Sequence, residues 1–381
     1  MNAHSRTLVS VTLLLAVAGC VHVPAEPDKV DLQLLHGADV FGHEITPAPT
    51  EDLLALSPEM HDFLNPDISS PDIAYTRFRR LMRGLQEGGH FANNYDAGGT
   101  FSAAQTFADG KGNCLGYTNM FIALARGAGL DAKYQLIEAD PNWNVESGYL
   151  IKNNHVNVVV EGIRLTRMYQ DEVIVDFNLV RPDPNYSTAV VISDDFASAL
   201  FHANLAVEAM HAGEYEAAFA HLKRGALTAP ENKMIWANLG VLLSKLGHPA
   251  LAQRAYEQVL RLDARDKTAW VGMAVNLRAQ GKHEEAATYN RRVERYQLRN
   301  PYYHYALAES AYRQQDYTTA LASVQKAISM RGQEARFHLL RAATAIELGD
   351  EQLAQRSKRL AAKYYDRRVR SARATAIYRY D

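Results

Sequence analysis

The chain has 381 residues, 47% of them hydrophobic and 22% charged, which are the proportions of folded domains. They exclude a disordered, collagenous or disulfide-rich chain, and the length suggests two to three domains of about 150 residues. Forty-one basic residues against 43 acidic ones leave a net charge of −2, which excludes a general nucleic-acid binder because neutralising phosphates requires a positive surplus.

Residues 1–20 read MNAHSRTLVSVTLLLAVAGC, with a positive charge at Arg6 and an apolar run from Leu8 to Ala18. The run has the length of the hydrophobic part of a secretory signal and is too short to span a bilayer as a helix. No later stretch approaches eighteen consecutive apolar residues. Val17-Ala18-Gly19-Cys20 resembles the lipobox of bacterial lipoproteins. The resemblance implies removal of residues 1–19 and lipidation of Cys20 with several acyl chains, enough for stable anchoring. It places the protein in the bacterial cell envelope, with membrane contact through lipidated Cys20. Val21 stands where an Asp would resemble an inner-membrane retention signal, which favours the outer membrane, facing the periplasm. Pro24, Pro27, Pro47 and Pro49, without sustained periodicity, predict a tether over residues 20–50 with a short docked segment.

Residues 51–192 form the next unit, closed by the proline-punctuated break Arg181-Pro182-Asp183-Pro184. Ile73, Phe78, Leu81, Met82 and Leu85 make an apolar stripe that predicts a helix over 72–88. After a glycine-rich turn at Gly98-Gly99 comes Gly110-Lys111-Gly112-Asn113-Cys114, and then Leu115, Met120, Phe121, Leu124 and Ala125 at helical spacing. Cys114 therefore falls at or just inside a helix N-terminus. Partial positive charge and free N–H groups there stabilise a thiolate and can supply oxyanion donors.

Two strand-like segments follow. His155 opens the run Val156–Val160, and Val173–Val175 leads into Asp176-Phe177. A carboxylate beside a buried strand is costly without a partner, and an imidazolium is a natural one. The chain order Cys, His, Asp is that of a nucleophile, a general base and a group that orients the base. His90, in a glycine-rich loop with no strand around it, is a weaker alternative base. One Cys and one His give too few clustered ligands for a metal, and no phosphate-cradling glycine loop or dinucleotide fingerprint occurs. No metal and no cofactor are therefore expected.

The Gly112-Asn113-Cys114 helix start, the helix end Ala125-Arg126-Gly127-Ala128-Gly129-Leu130, the strand with His155 and the Val175-Asp176-Phe177 strand resemble the transglutaminase-like domain. This belongs to the papain-like fold, and the resemblance covers about residues 75–190. It implies an α+β domain, a helix packed on an antiparallel sheet, with Cys114, His155 and Asp176 as the catalytic triad. A tryptophan often follows the family's His, whereas Val156 stands here, so the resemblance does not define the pocket wall or the substrate. The implied chemistry is thiolate attack on an amide or ester carbonyl. The thioester then passes to water, as in a peptidase, or to an amine, as in an acyl transferase. The Cys114 N–H would hold the oxyanion, with Gln105 a candidate second donor.

From residue 199 to 365 the chain is alanine-rich and repetitive. Gly213, Gly247, Gly281 and Gly349 share one phase of a 34-residue period, with Gln315 at that phase in the fourth unit. Ala218, Ala252, Ala286, Ala320 and Ala354 follow five residues later, and Trp236 and Trp270 stand one period apart. Period and residue order resemble the tetratricopeptide repeat, in about five units of two antiparallel helices. The expected fold class is thus an α+β papain/transglutaminase-like domain followed by an all-α tetratricopeptide-repeat solenoid. Arg278, Tyr302, Tyr305, Tyr312 and Arg313 would lie on or near its concave side, anchors for a protein or peptide partner. Residues 366–381 form a basic cap or tail. Beside a working hydrolase, the sequence leaves open an inactive domain carried by a repeat scaffold.

Overall fold

The structure is a computed structural model and describes residues 30–65, 68, 72–90, 94–96, 99–139, 144–146, 149–151, 155–163, 172–177 and 187–374. The leader 1–19, Cys20, the start of the tether, the proline break at 181–184 and the last residues of the basic tail lie outside them.

From Val30 onward the expected tether is docked. A 3-10 turn, Leu32–Leu35, and a single helical turn, α1 (Ala38–Phe41), lay Leu34, Leu35 and Ile45 into the core of the repeats. Phe41 meets Phe219 edge-on at 5.5 Å. The Ala48 N–H donates to Ala220 O at 3.0 Å, and Arg254 grips the Asp31 carboxylate from Nε and Nη2 at 3.0 and 2.8 Å. The prolines and the missing period predict a tether with a short docked segment, and the docked part runs through the whole described stretch from Val30. The order comes from partners about 200 residues away in the chain, too distant for local spacing to show.

The α+β domain opens with α2 (Pro58–Phe63), capped by Ser57, and α3 (Ala74–Glu87). Phe78, Leu81, Met82 and Leu85 of α3 are buried as the stripe requires, but Ile73 precedes the helix and is 72% exposed. A short parallel pair joins β1 (Asn94–Tyr95) to β2 (Lys111–Gly112) around α4 (Ala103–Asp109). Next comes α5 (Cys114–Gly127), in which every residue from Leu115 to Ala125 is buried. A helix apolar all round belongs in the centre of a domain. Then follow β3 (Asp131–Ala139), the hairpin β4 (Asn144–Glu146) and β5 (Tyr149–Ile151), β6 (His155–Glu161), β7 (Glu172–Val175) and β8 (Ser187–Ile192). The main sheet has the order β7-β6-β3-β8 and is antiparallel throughout. Alternate residues Val156, Val158 and Val160 of β6 join Ala132, Tyr134, Leu136, Val173 and Val175 in one core with α5. At about 1.5–3 kcal/mol for each buried side chain, this face is what holds the helix on the sheet.

Among the described residues ten helices follow: α6 (Asp194–Ala212), α7 (Tyr215–Thr228), α8 (Lys233–Lys245), α9 (Pro249–Leu262), α10 (Lys267–Ala279), α11 (His283–Leu298), α12 (Pro301–Arg313), α13 (Tyr317–Met330), α14 (Ala335–Glu347) and α15 (Glu351–Ala374). They form five helix pairs. Gly213, Gly247, Gly281 and Gly349 end the first helix of their pairs with φ between 75° and 82°. Gln315, at the same phase, adopts φ 62° and is the only non-glycine residue with positive φ among those described. The left-handed turn is therefore a demand of the repeat, and Gln315 meets it with strain. Ala218, Ala252, Ala286, Ala320 and Ala354 are all buried, the small residue letting paired helices approach.

The boundary expected between 192 and 199 is not a linker. Ala197, Leu200 and Phe201 of α6 belong to the α+β core, whereas Ala199, Ala203, Ala206 and Ala209 of the same helix belong to the repeat core.

Candidate active site

Cys114 is the first residue of α5, and its place is set by Asn113. Asn113 is extended (φ −85°, ψ −177°), and its Oδ1 accepts from the N–H groups of Leu115 and Gly116, both at 3.0 Å. Its Nδ2 donates to Thr100 Oγ1 at 2.8 Å and its own N–H to Gly99 O at 3.0 Å. The cap consumes two of the orphan donors of the helix and does not consume the Cys114 N–H. Gly116 is needed for closeness: a Cβ there would stand 2.9 Å from Thr106 Oγ1.

Two contacts bring the helix start to the other functional side chains. Thr118 Oγ1 donates to Val156 O at 3.3 Å, so the first turn of α5 lies beside the opening of β6, where His155 stands. Phe177 packs its ring against Tyr117 and Phe121 at centroid distances of 5.8 and 5.9 Å, and this holds the neighbouring Asp176. Val175 pairs with Val158, so continued register sets Asp176 across from Asn157, on the same face as His155 two residues earlier. The result is a contact of 2.7 Å between His155 Nε2 and Asp176 Oδ1, with side chains 7% and 11% exposed.

With the carboxylate on Nε2, the ring's remaining nitrogen is Nδ1. It is buried and makes no hydrogen bond of regular geometry, although the half-buried Cys114 stands close enough to act on the ring. Burial disfavours the imidazolium, but Asp176, and after it Cys114, outweigh burial and push the His155 pKa up to about 9. At neutral pH the ring is therefore held protonated beside a thiol at a helix N-terminus. That is the charge arrangement which favours a thiolate.

A family model described as the transglutaminase-like superfamily matches residues 64–165, and one described as the tetratricopeptide repeat matches residues 237–300 and 305–354. The chain carries a transglutaminase-like domain followed by tetratricopeptide repeats. Cys114 and His155 fall within the matched part of the transglutaminase-like domain, and Asp176 lies beyond it. Among solved structures the chain is similar to MamA from Desulfovibrio magneticus RS-1, at 17% identity over 46% of this chain and 97% of that one, with a TM-score of 0.26. It is also similar to Pseudomonas aeruginosa pilF, at 17% identity over 45% and 78%, with a TM-score of 0.27. No curated protein matches the chain.

Other residues of interest in the transglutaminase-like domain have different roles. Gln105 is exposed, and its Oε1 accepts from Ser102 N at 2.9 Å in a capping box at the start of α4. It is a helix cap. His90 stacks on Phe107 at 4.0 Å and meets Phe63 edge-on, and burial lowers its pKa. It is a packing residue. Val156 is buried in the core beneath α5. Sequence reasoning missed the support behind Asn113: Tyr134 donates to Asn119 Oδ1 at 2.7 Å, and Asn119 Nδ2 donates to Phe101 O at 3.2 Å. A polar residue just before a helix signals a cap, but nothing in the sequence singles out Thr100 or Tyr134.

In the tetratricopeptide repeats the expected groove residues divide. Tyr302 is 7% exposed and is part of the core: its hydroxyl donates to Glu334, its ring meets Phe337 at 5.5 Å, and Arg336 lies 4.5 Å over it. Arg331 also bonds the same hydroxyl. A period places a residue on a helix, and only packing decides whether the next unit covers it. Tyr305 is half-buried and stacked on Phe337 at 4.9 Å, and Tyr312 meets Tyr317 edge-on at 5.5 Å. Arg278 and Arg313 are exposed, in the last turns of α10 and α12.

Proposed function

We propose that the protein is a lipid-anchored envelope thiol hydrolase, peptidase-like in its chemistry, whose repeats recruit a protein substrate or partner. The observation that carries the reading is the buried 2.7 Å pair of His155 and Asp176 beside Cys114 at a capped helix start. In the resting pair the thiol proton already sits on the His155 ring, and Asp176 holds the imidazolium in place beside the thiolate. The thiolate attacks the carbonyl carbon of an amide. The Cys114 N–H, outside the Asn113 cap, donates to the oxyanion that forms. His155 returns the proton to the leaving amine as the thioester forms, and then takes a proton from the water that hydrolyses it. Proton transfer of this kind supplies about 10²- to 10⁴-fold in rate.

The lipobox-like segment supports anchoring at Cys20. Nine residues lie between Cys20 and Val30, where the docked strap begins, and the ten Cα-to-Cα steps reach at most about 35 Å. That would keep the domains near the membrane surface. Exposed Arg278 and Arg313 support a partner site on the repeats.

The test is digestion of an envelope-protein extract by the purified chain from residue 21 onward, with new N-termini read by mass spectrometry. New termini that vanish in Cys114→Ala support the reading. Identical termini for both chains overturn it. Cys20→Ser is expected to move the full chain from the membrane to the soluble fraction.

A further inference from the structure

We propose that α6, the first helix of the repeat array, positions the nucleophile of the neighbouring domain, and that Glu208 is the positioning residue that does so. The proposal deepens the hydrolase reading and rests on it for its catalytic meaning.

The link runs through Thr100. A threonine hydroxyl has one proton to donate and lone pairs to accept with. Asn113 Nδ2 already donates to Thr100 Oγ1 at 2.8 Å, so the hydroxyl proton must go elsewhere. The Glu208 carboxylate stands close enough to receive it, within reach of both the Thr100 side chain and its backbone N–H. Thr100 and Asn113 are both buried, at 6% and 5% exposure. Glu208 thus fixes Thr100, Thr100 fixes the Asn113 amide, and that amide sets the first turn of α5, where Cys114 stands. Burial raises the Glu208 carboxyl above the usual range and Asp96 adds to this, while the bonds to Thr100 work against it.

The same helix holds the other end of α5. Arg126 grips Asp194 with two bonds of 2.6 and 2.9 Å. Asp194 and Glu208 are fourteen residues apart on α6, about 21 Å and just under four turns, so they project from one side of it. Asn113 and Arg126 are thirteen residues apart, about 20 Å of helix. The two spans match in opposite chain directions, Asp194 with the end of α5 and Glu208 with its start. Ala197, Leu200 and Phe201 fill the interval from α6 into the α+β core. An array that merely followed the domain would need neither carboxylate.

The test is the iodoacetamide alkylation rate of Cys114 in the full chain from pH 5 to 9. It is compared among wild type, Glu208→Ala, Glu208→Gln, Thr100→Val and the double variant Glu208→Ala/Thr100→Val. Glu208→Ala is expected to slow alkylation at pH 6 by about 3- to 10-fold, the range of coupling between linked side chains. Glu208→Gln keeps an acceptor oxygen and should retain most of the wild-type rate. Thr100→Val should reproduce Glu208→Ala, and the double variant should be no slower than either. If Glu208→Ala does not fold, Thr100→Val carries the same comparison. A wild-type profile in both single variants, losses that multiply in the double variant, or equal loss in Glu208→Gln and Glu208→Ala would overturn the proposal. Those results leave the hydrolase reading standing, whereas a chain that cuts nothing overturns that reading and leaves this thiol profile in place.

Discussion

His155 and Asp176 stand 21 residues apart in the chain and meet at 2.7 Å, Nε2 to Oδ1, with both side chains nearly closed to solvent. Water does not screen a pair so placed, and the pair fixes which imidazole nitrogen is left for Cys114. It also makes the charge of one ring a property of the fold.

The first prediction concerns pH. The folded His155 pKa is about 9, against about 6.5 for an unfolded chain. A raised folded pKa stabilises the folded state fully below the unfolded value, and the gain is lost as pH rises through the folded one. The transglutaminase-like domain should therefore lose stability between pH 6.5 and 9, by up to about 3 kcal/mol at 1.36 kcal/mol per pKa unit. Asp176→Asn should flatten the dependence. Urea unfolding followed by near-UV circular dichroism at stepped pH checks both, and a midpoint that climbs over this range contradicts the assignment.

Asn113→Ala removes the acceptor for two helix N–H groups and takes from buried Thr100 Oγ1 its donor. The expected cost is about 1–2 kcal/mol, the upper part of the range for an N-cap. Alkylation of Cys114 at pH 6 should slow with it. A thermal scan and a thiol assay on the same sample check the two effects together.

Gln315 offers a gain of stability. Its φ of 62° sits where the other four units carry glycine. Gln315→Gly should stabilise the array by about 0.5–1 kcal/mol, the left-handed strain relieved less the entropy of glycine. Gly281→Ala, at φ 76°, should cost a similar amount. Urea titration of helical circular dichroism reads both signs.

Much of this architecture is legible in the sequence because it is carried by spacing. The glycines and alanines of the repeats mark one left-handed turn and one close approach per unit, and the apolar residues after Cys114 keep helical period. His155 and Asp176 each sit at the edge of a β-branched run, so their elements could be read. What was not legible depends on partners far away in the chain. Asp31 meets Arg254 across 223 positions. Thr100 owes its role to Glu208 on a helix of the next unit. Tyr302 has the look of an interface anchor and is covered only because Phe337, Arg331 and Arg336 fold over it. Ile73 continues a helical stripe in spacing, yet the helix starts one residue after it.

The docked strap gives a fourth prediction. Leu35 is buried in the repeat core although it lies far from the repeats in sequence. Leu35→Ala should cost about 2–3 kcal/mol, as for other large-to-small core changes, and the loss should appear in the unfolding of the array. Limited proteolysis should then cut within residues 30–50 at a protease concentration that leaves the parent chain intact.

The most direct measurement compares iodoacetamide alkylation of Cys114 at pH 6 in the parent chain and in His155→Ala, with Cys20 removed so that one thiol remains. If His155 and Cys114 work as a proton-exchanging pair, the substitution slows alkylation by about tenfold or more, because the positive ring that favours the thiolate is gone. Equal rates in the two chains would contradict the account at its centre, leaving Cys114 an ordinary half-buried cysteine at the end of a helix.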